Sequence, residues 1–139
     1  MPRTAFTPAD IEARIRESLP ADEGGDADEM RLAELVHELE AAGPSLEQAT
    51  AILRAIGAAP PFTHFGDPGP LVHFVESVPG YEHDLYRAAR ATPTAHLLWM
   101  LQRRANAGDA ESLAIIREYA VSEDMPGQLR ERAESFLAR

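Results

Sequence analysis

The sequence predicts an all-α protein built from about eight short helices. Apolar residues recur at the i, i+3 and i+4 spacing that places them on one face of a helix. Capping residues, Pro and Gly separate these segments, as is typical of helix ends and turns. No segment of useful length alternates apolar and polar residues as a half-buried strand does. Because 139 residues suffice to bury one core, we expect residues 1–139 to form a single helical domain.

The first half of the chain predicts three helices, each with a start signal and an apolar face. Two starts are capping boxes, in which Glu or Gln follows the N-cap by three residues, and the other places Pro directly after the cap. The predicted starts are Thr7-Pro8, Asp26 with Glu29, and Ser45 with Gln48. The predicted core positions are Ile11, Ile15 and Leu19, then Leu32, Leu35, Val36 and Leu39, then Leu46, Ala49, Leu53 and Ile56. Pro20 and Gly43-Pro44 end the first two helices.

The second half predicts five more helices after a break at residues 57–67, where two prolines and two glycines interrupt the helical pattern. The predicted starts are Asp67-Pro68, Tyr81 after Pro79-Gly80, Thr92-Pro93, Asp109 after Gly108, and Pro126 after Asp124. The predicted core positions are Leu71, Phe74, Val75 and Val78; Tyr81, Leu85, Ala88 and Ala89; residues 97–101; Leu113, Ile116 and Ala120; and Leu129, Ala133, Phe136 and Leu137. Residues 97–101 are apolar on most sides of a helix, which predicts a central position for the sixth helix.

Short connections between the helices indicate how the helices pack. Consecutive helices joined by tight turns form antiparallel hairpins, so we expect the fourth helix to pair with the fifth and the sixth with the seventh. This pairing favours a HEAT-like stack or an irregular helical bundle. The sequence contains no repeat of fixed period, which is the usual signature of a regular stack.

The chain is strongly acidic, with a net charge of −10 from 23 acidic residues and 13 basic residues. This charge argues against nucleic acid or an anionic membrane as the direct partner, because both require a basic face. It favours a cationic protein partner, although many proteins are acidic for solubility alone. The acidic excess is greatest between Asp22 and Glu40, where eight acidic residues accompany one Arg.

This acidic stretch supplies the candidate partner-binding residues. They are Asp22, Glu23, Asp26, Asp28, Glu29, Glu34 and Glu38. On the second helix, Glu34 and Glu38 fall opposite the apolar face and one turn apart. Like charges at this spacing weaken a helix slightly, and a cationic partner would relieve the repulsion. The alternative is that these carboxylates form an ordinary solvated face.

Patterns typical of catalytic and metal sites are incomplete in this chain. His37-Glu38 begins like the zinc-binding HExxH motif, but position 41 is Ala, so the second His ligand is missing. The other four His residues form no i, i+3 or i+4 pair on one helix, and there is no Cys to act as ligand or nucleophile. The GxSxG motif and the Gly-rich phosphate loops are also missing. We therefore expect a protein that is not an enzyme and that uses no metal or cofactor.

The N-terminal sequence and the apolar runs indicate the location of the protein. The first residues, MPRTAFTPADIEARIRE, lack the apolar core of a secretory signal and include acidic residues early. The apolar run at 97–101 is far too short to span a bilayer. The sequence therefore favours the cytoplasm and gives no membrane partner.

Residues 67–106 carry a recognisable family pattern. It consists of DPGPLVHFVE at 67–76, Tyr81, Leu85, TPT at 92–94 and HLLWMLQRRAN at 96–106. The segment resembles the helical immunity proteins of bacterial polymorphic-toxin systems, such as contact-dependent inhibition or type VI secretion. The resemblance spans 40 of the 139 residues. It departs from the family pattern at Gln102, where Asn is expected, and at Ala105, where a larger aliphatic residue is expected.

The resemblance implies a function and a division of the chain. Immunity proteins bind a cognate toxin and block its active site or substrate surface; for an acidic inhibitor, the implied toxin is cationic, such as a nuclease or deaminase. The family-motif residues then maintain the fold, and the toxin-facing surface lies in the acidic N-terminal half. The motif residues are Asp67, Pro68, Tyr81, Pro93, Thr94, Trp99, Arg103 and Asn106.

Two other functions fit the residues. The first is a helical-repeat scaffold or regulatory adaptor that binds a non-toxin protein, and the identity of the neighbouring gene distinguishes it from an immunity protein. The second is a small enzyme with a carboxylate or His site. Such an enzyme would require a deep pocket with converging polar groups and perturbed pKa values.

Overall fold

Eight α-helices form the regular structure of the chain in the computed structural model, which describes residues 7–21, 25–66 and 69–139. The helices are α1 (Pro8–Glu17), α2 (Glu29–Ala42), α3 (Leu46–Ala58), α4 (Gly69–Glu76), α5 (Tyr81–Ala91), α6 (Ala95–Asn106), α7 (Ala110–Val121) and α8 (Gly127–Leu137). These described residues contain no strand, only one isolated parallel bridge between Asp26 and His64. The all-α prediction is confirmed.

Several helices start where the local sequence predicts. Thr7 forms a capping box with Asp10 at the start of α1, and Ser45 forms another with Gln48 at the start of α3. Asp109 caps α7 by accepting a hydrogen bond from the Ser112 backbone N–H. Each of these caps joins residues three apart, so a local pattern is sufficient to predict them.

The start of α2 differs from the prediction, because the N-cap is Asp28 and not Asp26. The backbone on both sides of Asp26 is paired with a distant segment. The Ala27 N–H donates to the His64 carbonyl at 2.8 Å, and the His64 N–H donates to the Gly25 carbonyl at 3.0 Å. This pairing holds Asp26 in an extended segment and delays the helix by two residues.

Buried apolar residues from all eight helices form one contiguous core. The predicted central helix α6 packs against α3, α5, α7 and α8, but α3 is equally central and packs against α1, α4, α5 and α6. Small side chains at Ala49, Ala51 and Ala55 allow neighbouring helices to approach α3 closely. Leu46 is 43% exposed, so its predicted place in the core is wrong.

The first five helices pack mainly against helices two places away in the chain, whereas α6, α7 and α8 pack mainly against their neighbours in sequence. In the described residues, α1, α3, α5 and α7 form a row, while α2 packs against α4 and α6 packs against α8. The predicted contact of α6 with α7 is confirmed, but α4 packs against α2 and α3, so its predicted hairpin with α5 is wrong. Gly80, at a left-handed φ of +88°, turns the chain so that α5 lies against α3, α6 and α7. Helix α2 is left at an edge, against α4 and α1.

Candidate functional site

Helix α2 buries one face and exposes the other. Its buried residues are Leu32, Leu35, Val36 and Leu39, as predicted. The helix also carries four Glu and one Arg, and all five of these residues are exposed. Because α2 packs mainly against α4 and α1, this acidic side is open to a partner.

A shallow hollow of about 540 Å³ lies on the exposed side of α2. It is lined by Met30, Ala33, Glu34, His37 and Glu38, which we call the α2 outer face. Met30 is 78% exposed, so a large apolar side chain stands beside two carboxylates. Methionine is flexible and polarisable, and it adapts to varied partner surfaces.

Glu38 on the α2 outer face already has a cationic partner within the chain. Arg14 Nη2 of α1 lies 2.8 Å from Glu38 Oε2. This hydrogen bond is the main reason that the pKa of the Arg14 guanidinium is raised, and Glu34 adds to the effect through its charge. Arg14 therefore already relieves part of the repulsion between Glu34 and Glu38 that a cationic partner was expected to relieve.

Two further predicted binding residues, Asp26 and Asp28, have different roles. Asp28 Oδ1 accepts hydrogen bonds from the backbone N–H groups of Met30 at 3.1 Å and Arg31 at 3.3 Å. The Asp28 carboxylate therefore stabilises the start of α2. The Asp26 side chain is 81% exposed, with Oδ1 3.4 Å from His64 Nδ1. The Asp26 carboxylate is thus exposed to a partner, whereas the Asp28 carboxylate caps α2.

The remaining acidic candidates are Glu29, Asp22 and Glu23. Glu29 is exposed in the first turn of α2, where a negative charge is favoured by the helix dipole. Asp22 and Glu23 lie outside the described residues, as do the motif residues Asp67 and Pro68.

The motif residues Pro93 and Thr94 form the turn into α6. The N-cap of α6 is Thr94, whose Oγ1 accepts a hydrogen bond from the Leu97 N–H at 3.1 Å. The predicted start at Thr92-Pro93 is therefore two residues early. Thr92 instead ends α5, because its N–H still donates to a carbonyl of that helix. Asn106 is the last residue of α6 and is exposed.

The motif residue Arg103 links α6 to α4. Its Nε and Nη2 atoms donate to the two carboxylate oxygens of Glu76 at 3.0 and 2.9 Å. Its guanidinium carbon also lies 5.2 Å from the ring centroid of Trp99. A bidentate Arg–carboxylate pair of this kind fixes the relative orientation of the two side chains and also stabilises their contact.

A network that we call the Asp109 junction ties α5, α6 and α7 together. Asp109 Oδ2 accepts hydrogen bonds from Tyr86 Oη at 2.6 Å, Arg104 Nε at 3.2 Å and both the backbone and side chain of Ser112. Arg104 Nη1 also donates to the motif residue Tyr81 at 2.9 Å. Burial opposes ionisation of Asp109, but the hydrogen bonds from Ser112, Tyr86 and Arg104 outweigh it and lower its pKa from 3.8 to about 2.

A groove of about 680 Å³ lies beside this junction. Its lining includes the motif residues Tyr81, Arg103 and Asn106, together with the paired groups Glu76 and Asp109. The charged side chains in this lining are engaged with one another. These contacts connect α4 to α7, which agrees with a role of the motif in the fold.

A second cavity, which we call the Trp99 cleft, lies where the loop after α3 meets α6 and α8. Its volume is about 450 Å³, and its lining includes Phe62, Thr63, His96, Trp99 and Arg132. Trp99 and Phe62 are half-buried. The Trp99 ring centroid lies 5.4 Å from that of His96, and the Arg132 guanidinium lies 5.1 Å from the Phe62 ring centroid. The cleft is therefore walled by aromatic rings.

Two buried polar side chains, Thr63 and His96, line the Trp99 cleft. Thr63 is 3% exposed and His96 is 5% exposed. Within the described ranges, Thr63 Oγ1 and His96 Nε2 have no partner. Burial, assisted by the charge of His64, lowers the pKa of His96 from 6.5 to about 4, so the imidazole is neutral at pH 7.

No protein-family model, curated protein or solved structure matches this chain. Among residues 7–21, 25–66 and 69–139, no three His, Asp or Glu side chains are placed to hold a metal ion. In the same ranges, no helix has the length and apolar character needed to cross a membrane.

Sequence reasoning named Trp99 as a motif residue but did not group it with the other residues of the Trp99 cleft. Thr63 lies in the Pro-rich break after α3, where polar residues are common and nothing in the sequence indicates that one of them is buried. His96 precedes the apolar run 97–101, and a titratable residue at the edge of such a run is a signal of burial. The aromatic wall formed by Phe62 and Trp99 joins residues 37 positions apart in sequence, so no local pattern predicts it.

Proposed function

We propose that this protein neutralises a cationic protein toxin by binding it through the α2 outer face. The observation that carries the proposal is the exposure of Met30. This apolar residue is 78% exposed and lines a hollow together with Glu34 and Glu38. Apolar anchors surrounded by polar groups are typical of the energetic centres of protein interfaces. The exposed acidic side of α2 provides the polar surround.

The charge of the chain supports a cationic partner. The net charge is −10, and the acidic excess is concentrated in the segment that contains α2. Such a field accelerates encounter with a basic protein and repels nucleic acid. If the toxin acts on nucleic acid, its Arg and Lys residues form a phosphate-binding surface, and carboxylates such as Glu34 occupy that surface as phosphate does.

The resemblance of residues 67–106 to helical immunity proteins supports the nature of the partner. In this segment, Thr94, Arg103 and Tyr81 make contacts that start or connect helices. The α2 outer face is separate from this segment in sequence. A toxin-specific surface on α2 therefore leaves the motif contacts intact.

The first test is co-purification of this protein with the protein encoded by the neighbouring gene. We expect a stable complex, and we expect this protein to restore the growth of cells that express the neighbouring protein. A soluble, toxic neighbour that neither binds this protein nor loses its toxicity in its presence would overturn the proposal.

The second test locates the binding surface with charge-matched variants. Glu34→Arg and Glu123→Arg change the net charge equally, but Glu123 lies in the turn between α7 and α8. At low ionic strength we expect Glu34→Arg to lower the association rate by about tenfold or more and Glu123→Arg by about twofold. Met30→Ala should mainly raise the dissociation rate. Equal association rates for the two Arg variants would reject the α2 outer face.

A further inference from the structure

A groove of about 260 Å³ lies between α3 and α5, and we call it the α3–α5 groove. Its lining combines aliphatic side chains with two cations. The aliphatic residues are Leu53, Ala58, Ala88 and Ala91, and the cations are Arg54 and Arg87. Leu53 is buried and forms the floor of the groove, whereas Ala58 and Ala91 are exposed. The groove is therefore apolar at its base and open to solvent.

Two contacts between α3 and α5 define the length of the groove. Near the start of both helices, Thr50 Oγ1 donates to Asp84 Oδ2 at 3.0 Å. Near their ends, Gly57 lies so close to Thr92 that a Cβ at position 57 would overlap Thr92 Oγ1. The two helices therefore run in the same direction. With a rise of 1.5 Å per helical residue, the stretch of α3 from Thr50 to Gly57 is about 10 Å long.

Arg54 and Arg87 keep hydrogen-bond donors that a ligand can use. Arg87 Nη1 donates to Asp84 Oδ1 at 2.9 Å within α5. Arg54 Nη1 lies 3.7 Å from Glu12 Oε2, which is too long for a hydrogen bond. In the part of the chain that the structure describes, these are the only ion pairs of the two residues, whose side chains are 63% and 77% exposed. Because a guanidinium has five N–H donors, most donors of both residues face solvent.

The lining of the groove favours an anion with an aliphatic chain. Among the described residues, no aromatic ring lines the groove, so its base offers aliphatic contact and no stacking surface. The two Arg residues accompany one carboxylate, that of Asp84, which already accepts hydrogen bonds from Thr50 and Arg87. The planar guanidinium group matches a carboxylate in shape and charge. Because the chain carries a net charge of −10, its overall field repels anions, so binding requires direct contact with these guanidinium groups.

We propose that the α3–α5 groove binds a short alkyl carboxylate. The alkyl chain lies on Leu53 and Ala88, and the carboxylate accepts hydrogen bonds from Arg54 and Arg87. The length of about 10 Å between the two contacts accommodates hexanoate. The groove shares no lining residue with the α2 outer face, so its test does not depend on the toxin proposal.

Methyl NMR signals give a direct assay, because Leu53 and Ala88 carry methyl groups that line the groove. The full-length protein is titrated with hexanoate, and in parallel with 1-hexanol and with acetate. 1-Hexanol has the alkyl chain without the charge, and acetate has the charge without the chain. We expect the methyl signals of Leu53 and Ala88 to shift saturably with hexanoate, with a Kd of about 1 mM or tighter, and binding at least about tenfold weaker for the other two compounds.

Three results of this titration on the native protein would overturn the proposal. The first is no saturable shift with hexanoate. The second is a shift confined to methyl groups outside the α3–α5 groove. The third is binding of 1-hexanol or acetate as tight as that of hexanoate, because the proposal requires both the chain and the charge.

Charge-matched variants test the contact with the carboxylate. Arg54→Gln and Arg87→Gln each remove one guanidinium, and we expect each variant to retain its far-UV circular dichroism and to bind hexanoate about tenfold more weakly. Arg31→Gln is the control, because Arg31 pairs with Asp28 three residues earlier, as Arg87 does with Asp84. We expect the control to bind hexanoate as the native protein does. Native affinity in folded Arg54→Gln or Arg87→Gln, or an equal loss in Arg31→Gln, would reject the proposed contact.

Discussion

Replacing Asp109 by Asn is expected to weaken the Asp109 junction through loss of charge alone. Asn keeps the size of the side chain, and it is as good an N-cap for α7 as Asp. What disappears is the negative charge that Tyr86, Arg104 and Ser112 stabilise through their hydrogen bonds to Oδ2. The variant therefore separates the charge of this junction from its capping function.

The magnitude follows from the pKa of Asp109, which the folded protein lowers from 3.8 to about 2. Because 1.36 kcal/mol corresponds to each pH unit of difference, the ionised carboxylate contributes about 2 kcal/mol to the free energy of unfolding at pH 7. A carboxylate whose folded pKa is lowered stabilises the protein above the unfolded pKa. This contribution is fully present above pH 3.8 and is lost as the pH falls towards 2.

The assay is urea unfolding, followed by far-UV circular dichroism at several pH values. At pH 7 we expect Asp109→Asn to unfold with a free energy about 2 kcal/mol lower than the native protein, and this difference should shrink below about pH 4. Asp124→Asn, at an exposed residue in the turn before α8, is the control and should change the free energy by less than about 0.5 kcal/mol. A difference at pH 7 no larger than that of the control, or one that does not decrease in acid, would refute the reasoning.

Three further predictions concern buried groups and glycines. The pKa of His96 is lowered from 6.5 to about 4 in the folded protein. As the pH falls, His96 is therefore protonated in the unfolded chain before it is protonated in the folded protein. The free energy of unfolding should therefore fall by about 3 kcal/mol between pH 6.5 and 4, and urea unfolding of His96→Phe should lack this fall. Gly66 has a φ of +115°, and a Cβ there would lie 2.4 Å from the Gly69 Cα, whereas Gly108, at φ +99°, has nothing within 4 Å. Thermal unfolding should show a cost of about 3 kcal/mol for Gly66→Ala and about 1 kcal/mol for Gly108→Ala, and equal costs would contradict the predicted clash. The Tyr119 hydroxyl donates at 2.6 Å to a buried carbonyl near the end of α5. Tyr119→Phe should cost about 1–3 kcal/mol in urea unfolding, because the carbonyl loses its partner, and a neutral result would show that another donor replaces the hydroxyl.

Local interactions explain which parts of the fold could be predicted from the sequence. The capping box of Ser45 with Gln48 joins residues three apart, and the apolar face of α2 repeats every three or four residues. By contrast, the choice of α3 as the neighbour of α5 depends on side chains far apart in the chain. The small residues Ala49, Ala51 and Ala55, which make α3 central, look like ordinary helix formers in the sequence.

The same distinction applies to the candidate surfaces. The exposure of Glu34 follows from helical spacing, and the cap formed by Asp109 follows from its position after Gly108. The partner of Glu38 is Arg14, which lies 24 residues earlier, on another helix. Likewise, the convergence of three helices on Asp109 depends on tertiary packing. Sequence patterns therefore predict which residues are exposed or capping, and the packing decides which of them are already paired.

The α2 outer face can change with little effect on the fold. Exposed substitutions away from caps and the core usually alter the free energy of unfolding by no more than about 0.5 kcal/mol. Asp28 and Glu38 are exceptions, since the first caps α2 and the second pairs with Arg14. Met30 and Glu34 are exposed, and in the described part of the chain neither caps a helix nor forms an ion pair with another helix, although the charge of Glu34 acts on Arg14. Both residues can therefore be replaced with little effect on the fold. This arrangement suits the proposed binding of a toxin: the residues proposed to contact the toxin lie on an edge helix, and a separate network of contacts connects α4 to α7.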